Sequence, residues 1–438
     1  MIHLMRPRLV KVLLALLGIG LLVWLLAPPG RREPEYREKG VSVWFKQYYR
    51  TGPGSRRPDA GQHAQAARAL RALGTNAVPY LVAASFQTNQ ESAWQTNLLS
   101  WLAELPEPLR RPPFVPAAWV REMAALGIGE IKPPAELLLP LVTNRWHDPD
   151  PQQRWMAIFL LGNIGEGSAA AVPLLREKLR DAVSREAMLA AHSLDRLGAT
   201  ATAAVPALVE LVRSNQNYAS ILACRALARI GPAAREAVPV LSAQLATETN
   251  DNRRAQILIA LLCVEGDQSH WLNDLSTIMA DDRQLKLQQQ LIWALREIGT
   301  NACVARPLLL AALTNAEPTL YHPALFGLWN AGETNLALAA AFERLQRDDR
   351  VSRNNALQFL LGVQPTNSLV LSNLVLEANE LSMGSWAIEE AAKLGARAGP
   401  VIPRLRDIAE SKTNPFREVA RRALATIAAE QAAEQAPR

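Results

Sequence analysis

The sequence predicts an all-α chain, an α-solenoid of about ten helical hairpins with one transmembrane helix ahead of it. Three observations carry this prediction. A glycine is followed eight residues later by a proline at Gly165/Pro173, Gly198/Pro206, Gly231/Pro239, Gly299/Pro307 and Gly395/Pro403. The glycines keep a longer beat, at Gly165, Gly198, Gly231, Gly266, Gly299, Gly332, Gly362 and Gly395, with steps of 33, 33, 35, 33, 33, 30 and 33. No segment of comparable length alternates apolar and polar residues with period two, which argues against a sheet. A fixed period of this size marks stacked supersecondary units, so a chain of 438 residues grows by addition without a thicker core.

Within one period, Asp181 to Leu211, the residues Ala187, Ala190, Ala191, Leu194 and Leu197 recur at three and four and form one helix face. Gly198 ends that helix, because the left-handed conformation needed there costs glycine little. Ala204-Val205-Pro206 starts the second helix. Proline fits a first turn, where the missing N–H would have had no intrahelical partner. Ala207, Leu208, Leu211 and Val212 supply the second apolar face. Apolar residues precede other glycines in the same way: Ile230, Leu227 and Ala223 before Gly231, Ile298, Leu295 and Leu291 before Gly299, and Leu394, Ala391 and Ala387 before Gly395. Thr-Asn pairs, such as Thr143-Asn144, Thr249-Asn250, Thr300-Asn301 and Thr366-Asn367, fall between the helical stretches, where they cap and turn.

These residues resemble HEAT repeats, in particular the short form described as phycobilisome-lyase-like. The match is clearest from Asp148-Pro149-Asp150-Pro151-Gln152-Gln153-Arg154, through Ala157, Leu161 and Ile164-Gly165, to Ala171-Val172-Pro173 and Leu175. It covers roughly 60–430, strongly over 135–310 and 385–430; between 310 and 385 the glycine beat continues while the proline is mostly absent. The resemblance implies a right-handed solenoid, an armadillo-like curved pair of helical layers that grips other macromolecules. It implies no activity by itself. The N-terminal region, with Glu33-Pro34-Glu35-Tyr36 and Gly40–Trp44, also resembles uncharacterised bacterial membrane-anchored HEAT-repeat proteins.

The apolar run Leu9–Ala27 follows Arg6, Arg8 and Lys11 and is long enough to span a bilayer. Pro28-Pro29 after Ala27, and Leu25 where a small residue is wanted, favour an uncleaved signal anchor over a removed signal peptide. The predicted organisation is a short basic tail (1–8), the anchor (9–27), a linker with an aromatic cap segment (28–58), the repeats (59–430) with an irregular Pro-rich segment (101–135), and a polar tail (431–438). Val41–Tyr49 reads either as that cap on the first repeat or as a membrane-interface segment. Long downstream domains translocate largely regardless of charge, which places the repeats outside the cytoplasm, on an inner membrane.

The net charge of +6 belongs to the anchor end. Residues 1–57 hold eleven Lys/Arg and three acids, or +8, and the remainder holds 36 against 38, or −2. A neutral repeat body lacks the concentrated cationic excess that phosphate binding needs, so nucleic acid is not an expected partner. Cys224, Cys263 and Cys303 are too few and too spread for a disulfide framework or a zinc cluster; Cys224 reads as core, with a Cys224–Cys263 bridge as the minor alternative.

No catalytic, cofactor-binding or metal-ligating residue is assigned. None of His3, His63, His147, His192, His270 and His322 is followed by Glu, so the His-Glu pairs of HEAT-type deoxyhypusine hydroxylases are absent. His192 reads as packed, and Asp148 and Asp150 beside His147 read as helix caps. No nucleophile elbow or phosphate-binding loop is present. Trp146, Trp155, Trp271, Trp293, Trp329 and Trp386 read as core residues, or as binding hot spots if several line one concave face.

The sequence therefore points to a non-enzymatic, membrane-anchored scaffold without cofactor that binds a protein partner. The alternative is an accessory or catalytic subunit using the 101–135 excursion; nucleic-acid-binding and chromophore-lyase-like readings are weaker. A polypeptide of residues 58–438 is expected to fold without metal and to give a strongly helical circular dichroism spectrum. A β-rich spectrum, or collapse on chelation, overturns this.

Overall fold

The computed structural model describes residues 33–48, 60–87, 117–164, 169–180, 184–214, 217–265, 269–315, 317–347, 350–378 and 384–435. The apolar run Leu9–Ala27 lies outside them. Among the described residues no helix is long and apolar enough to cross a membrane.

The described chain opens with a two-residue hairpin, β1 (Glu35–Tyr36) and β2 (Lys39–Gly40), paired antiparallel. Its central residues Arg37 and Glu38 both take positive φ, as so tight a hairpin requires. Helix α1 (Val41–Tyr48) follows and packs on α2 (Ala60–Leu73) and α4 (Ala117–Ile131). Val41 and Trp44 are fully buried there, and the Trp44 indole N–H donates to Tyr36 O at 3.1 Å. Trp44 is thus part of the packing between α1 and its neighbours α2 and α4. Glu33 fastens α1: its carboxylate accepts from Ser42 N at 3.1 Å and from the Tyr80 hydroxyl at 2.7 Å. Burial, with Glu33 adding to it, pushes the Tyr80 phenol up to about 12.

From α2 onward the described chain is a series of helical hairpins, and in six of them a glycine of positive φ stands at the turn between first and second helix. The pairs are α2 with α3 (Val78–Ser85), α4 with α5 (Ala135–Val142), α6 (Pro151–Leu161) with α7 (Val172–Lys178), and α8 (Arg185–Leu197) with α9 (Val205–Arg213). They continue through α10 (Asn217–Ile230) with α11 (Val238–Leu245), α12 (Asp251–Val264) with α13 (Ser269–Ala280), and α14 (Leu285–Glu297) with α15 (Arg306–Thr314). The last pairs are α16 (Pro318–Asn330) with α17 (Thr334–Leu345), α18 (Arg350–Val363) with α19 (Ser368–Glu377), and α20 (Gly384–Leu394) with α21 (Ile402–Glu410). A single helix, α22 (Arg417–Gln435), ends the series. It buries Ala420, Ala423 and Ile427 and turns Arg421 and Arg422 to water, as a terminal helix of a stack must.

The turns follow the sequence grammar. Gly74, Gly198, Gly231, Gly299, Gly332 and Gly395 all take positive φ, between 56° and 88°. After Gly198, Gly231, Gly299 and Gly395 comes a short 3₁₀ segment, and the second helix then starts with proline in its first turn. Gly74 with Ala77-Val78-Pro79 is the same device in shorter form. Gly362 departs from it: it lies inside α18, helical and exposed, so the beat there marks no turn. The Pro-rich segment also needs correction over its second half. Pro133 and Pro134 separate α4 from α5, and Pro134 is the N-cap of α5. These prolines stand between two regular helices instead of interrupting a repeat. Residues 101–116 lie outside the described residues.

First helices pack on first helices, in a row through α6, α8, α10, α12, α14, α16 and α18. Second helices meet their neighbours more sparsely, as at α9/α11 and α13/α15. The first-helix row is the short, inner arc. Arg225 on α10 reaches Glu297 on α14 at 2.5 Å, and Asn301 after α14 donates to Ala228 O and Arg229 O at 2.8 and 3.1 Å. Both contacts cross over α12, which is consequently buried at every residue from Ala255 to Val264. A helix apolar all round can exist only where neighbours close over it. At the far end α2 also packs against α20, so the row curls back toward its start.

Consecutive first helices are tied at their C-termini, where the last carbonyls lack intrahelical partners. The residue two places before a turn glycine donates to the preceding repeat: Arg196 to Gly162 O at 2.6 Å, Arg229 to Asp195 O at 3.2 Å, and Asn330 to Arg296 O at 2.8 Å. In the α12 repeat that place is Val264, which has no donor. Asn301 reaches past it and serves the α10 carbonyls. Asn301→Ala is expected to lower stability by about 1–2 kcal/mol, because it leaves those acceptors unpaired. The exposed Asn335→Ala is expected to be near neutral. Urea unfolding of both variants measures the difference, and equal midpoints refute the tie.

Candidate protein-binding surface

On α6, α8, α10, α14 and α16 the residue six places before the repeat's glycine reaches the inner side, whereas Ala260 on α12 and Ala356 on α18, in the same place, are buried. That row reads Phe159, His192, Arg225, Trp293 and Phe326, all partly exposed or exposed. Trp293 is 45% exposed, unusual for so large an apolar side chain. Three residues on, Arg296 lies over the Trp293 ring and over the Phe326 ring, 4.7 Å from each centroid. Phe326 meets His322 at 5.0 Å and Phe359 at 5.0 Å, edge to face, and Trp329 meets Phe359 at 5.9 Å. Phe359 is fully buried and anchors the cluster to the core.

The strip ends at an opening. Between α18 and α20 lies a groove of about 510 Å³, walled by Leu361, Gly362, Trp386, Leu394 and Arg397. Gly362 joins it to the strip, since a Cβ added there would meet only the Phe326 ring, at 4.0 Å.

Nearer the N-terminus the inner face is ionic. Asp195, nearly buried, pairs with Arg225 at 2.6 Å, and Arg225 continues to Glu297. Glu186 takes Arg154 at 2.6 Å and Lys178 at 3.0 Å, and these cations hold its carboxyl below the usual range against the opposing effect of burial. Arg185 stacks on Trp155 at 4.3 Å and Lys178 on Trp146 at 5.0 Å.

The six tryptophans separate by depth. Trp146 is buried and Trp293 exposed; Trp155, Trp271, Trp329 and Trp386 are half-buried. Trp271 donates its indole N–H to Glu265. Trp293, Trp329 and Trp386 belong to the strip and groove. Beside His147, Asp148 accepts from Asp150 N and pairs with Arg145 at 2.9 Å, while Asp150 caps α6 through Gln152 N. Both acids are thus employed in the turn. Cys224 and Cys263 are buried free thiols, each pushed up to about 12 by burial, and Cys303 is free and exposed. Among the described residues no group of three or more His, Cys, Asp or Glu could hold a metal ion. His3 and the side chain of His63 lie outside the described residues. Arg296 and Phe326 were not legible as functional residues from the tryptophans alone. Aligning the repeats on their glycines and reading the sixth residue before each brings out Phe159, His192, Arg225, Trp293 and Phe326, together with the buried Ala260 and Ala356.

Residues 116–195 match the family model for HEAT repeats, so the chain carries HEAT repeats there. No curated protein sequence matches the chain. Among solved structures, the chain is similar to Kap95 in a complex with Nup1 at 12% identity and TM-score 0.38, covering 94% of this chain and 60% of that one. It is similar to importin beta at 12% identity and TM-score 0.36, covering 90% and 61%. It is also similar to beta-catenin, from work on its interaction with cadherin, at 12% identity and TM-score 0.29, covering 91% and 97%. The chain thus spans about 60% of the first two, and likeness at this level carries no argument about activity or partner.

Two inner-face histidines give the fold a pH dependence. Burial lowers His192, with Asp195 pulling the other way, and burial together with Arg296 lowers His322. A histidine lowered in the folded state takes up its proton more readily when unfolded, so stability is full above the ordinary value of about 6.5 and falls below it. The carboxylates lowered here, Asp148, Glu186, Glu248 and Asp281, act only at more acid pH. Urea midpoints are expected to drop between pH 7 and pH 5, and to drop less in a His192→Gln/His322→Gln variant. An equal drop in both proteins refutes the assignment.

Proposed function

We propose that this HEAT-repeat chain is a non-enzymatic scaffold, a right-handed solenoid of about ten hairpins held at the inner membrane by Leu9–Ala27, with the repeats outside the cytoplasm and a protein partner bound on their inner face. The observation that carries the reading is the exposed Trp293–Arg296–Phe326 strip running into the α18/α20 groove. Aromatic and arginine side chains dominate the energetics of protein interfaces, and a folded chain exposes tryptophan at some cost unless something covers it. The polar resources of the rest of the inner face are spent on joining repeats: Asp195, Arg225, Glu297 and Asn301 all bridge first helices. The recognition surface is therefore the aromatic end of the row.

Two measurements test the reading. The chain is expected to stay with membranes through alkaline carbonate extraction, and its repeats to be digested by protease added to spheroplasts. Trp293→Ala is expected to abolish a discrete crosslinked protein complex formed by the full chain while leaving its helical spectrum unchanged. Release by carbonate refutes the anchor, and an unchanged complex refutes the surface.

A further inference from the structure

We propose that the groove between α18 and α20, with the Trp293–Arg296–Phe326 strip beside it, docks an acidic protein segment that carries apolar side chains; this rests on the scaffold reading above. The groove is apolar at Leu361, Trp386 and Leu394. Its one lining carboxylate, Glu390, is already engaged by Lys393. Arg397 lines it, exposed, and among the described residues no carboxylate pairs with Arg397 or with Arg296. Arg296 lies over two rings, 4.7 Å from each centroid. A guanidinium over aromatic rings keeps its five N–H donors, which match a carboxylate in two parallel hydrogen bonds. The uncompensated charge of the groove and of the strip beside it is thus positive, at Arg397 and Arg296, and the complementary occupant has carboxylates flanking apolar side chains.

Gly362 supports a groove kept open. Gly362 stands in the last turn of α18 with a helical backbone that any residue adopts. Here no backbone strain or close approach requires it, since an added Cβ has only Phe326 at 4.0 Å for a neighbour. The missing side chain leaves the passage from strip to groove clear. A nucleic acid is the poorer fit, because its phosphates need more cations than Arg296 and Arg397 supply, and the body beyond residue 57 is net negative.

The test is selection of a displayed library of random twelve-residue peptides on the full chain in detergent micelles, followed by binding of the enriched peptides by fluorescence anisotropy. Enriched sequences are expected to combine Asp or Glu with Trp, Phe or Leu. Their affinity is expected to fall at least about tenfold in Arg397→Glu and in Gly362→Leu. Gly362→Leu fills the groove from a position that favours the helix, so its melting temperature is expected to be unchanged or raised, separating lost binding from lost folding. Enrichment of basic or uncharged peptides, no enrichment, or acidic peptides indifferent to both variants overturns the inference and leaves the scaffold reading standing. A preference for single-stranded DNA over every peptide overturns both.

Discussion

A left-handed glycine that ends a helix leaves carbonyls pointing at the next repeat, and the stack is organised around satisfying them. The chain can turn at Gly198, Gly231 or Gly332 because those residues accept positive φ. The turn alone would expose the helix end. The donor comes from the adjacent hairpin, as Arg196, Arg229 or Asn330, so a repeat is complete only when its neighbour is in place. Local geometry thereby becomes longitudinal cohesion, and the nearest-neighbour character of a repeat protein acquires a specific hydrogen bond.

The same constraint explains the tightest part of the row. Val264 stands where a donor is needed, and the α10 carbonyls are instead served by Asn301 from two repeats on. For that bond to form, α10 and α14 must approach over α12. Their approach permits the Arg225–Glu297 pair and seals α12 on all sides, which its apolar sequence from Ala255 to Val264 then requires. Ion pairs this close to the surface contribute little by themselves. Here they define a distance between first helices, and the burial of α12 supplies the energy.

Much of this was legible because period and turn chemistry are local. The glycine beat located the turns, and Val-Pro located the starts of second helices. What was not legible depends on neighbours across repeats. Gly362 keeps the beat yet stays helical, because α18 continues to Val363 without needing a left-handed residue. The Pro-rich segment 101–135 reads as a break, whereas its described part, from 117 on, is helix α4 with Pro133 and Pro134 between it and α5. Tryptophans gave no sign of depth: Trp146 and Trp293 are both on or beside helical stretches, and only packing makes one core and the other surface.

The row six residues before each glycine joins these points to function. Packing fixes the residues one, four and seven before the glycine, and turn chemistry fixes those after it. The sixth is required by neither where it faces the inner side. Between Phe159 and Phe326 it changes from aromatic, through His192 and the bridging Arg225, is interrupted by the buried Ala260 of α12, and resumes at the exposed Trp293. Where it is ionic, its charges are consumed between repeats and the row is pulled tight. Where it is aromatic, at Trp293 and Phe326, no ion pair among the described residues bridges α14 or α16 to a first helix two repeats further on, and the groove lies between α18 and α20. Cohesion and recognition are therefore divided along one face, and the division follows from which side chains can satisfy each other within the chain and which, like Trp293 and Arg296, are left to meet something outside it.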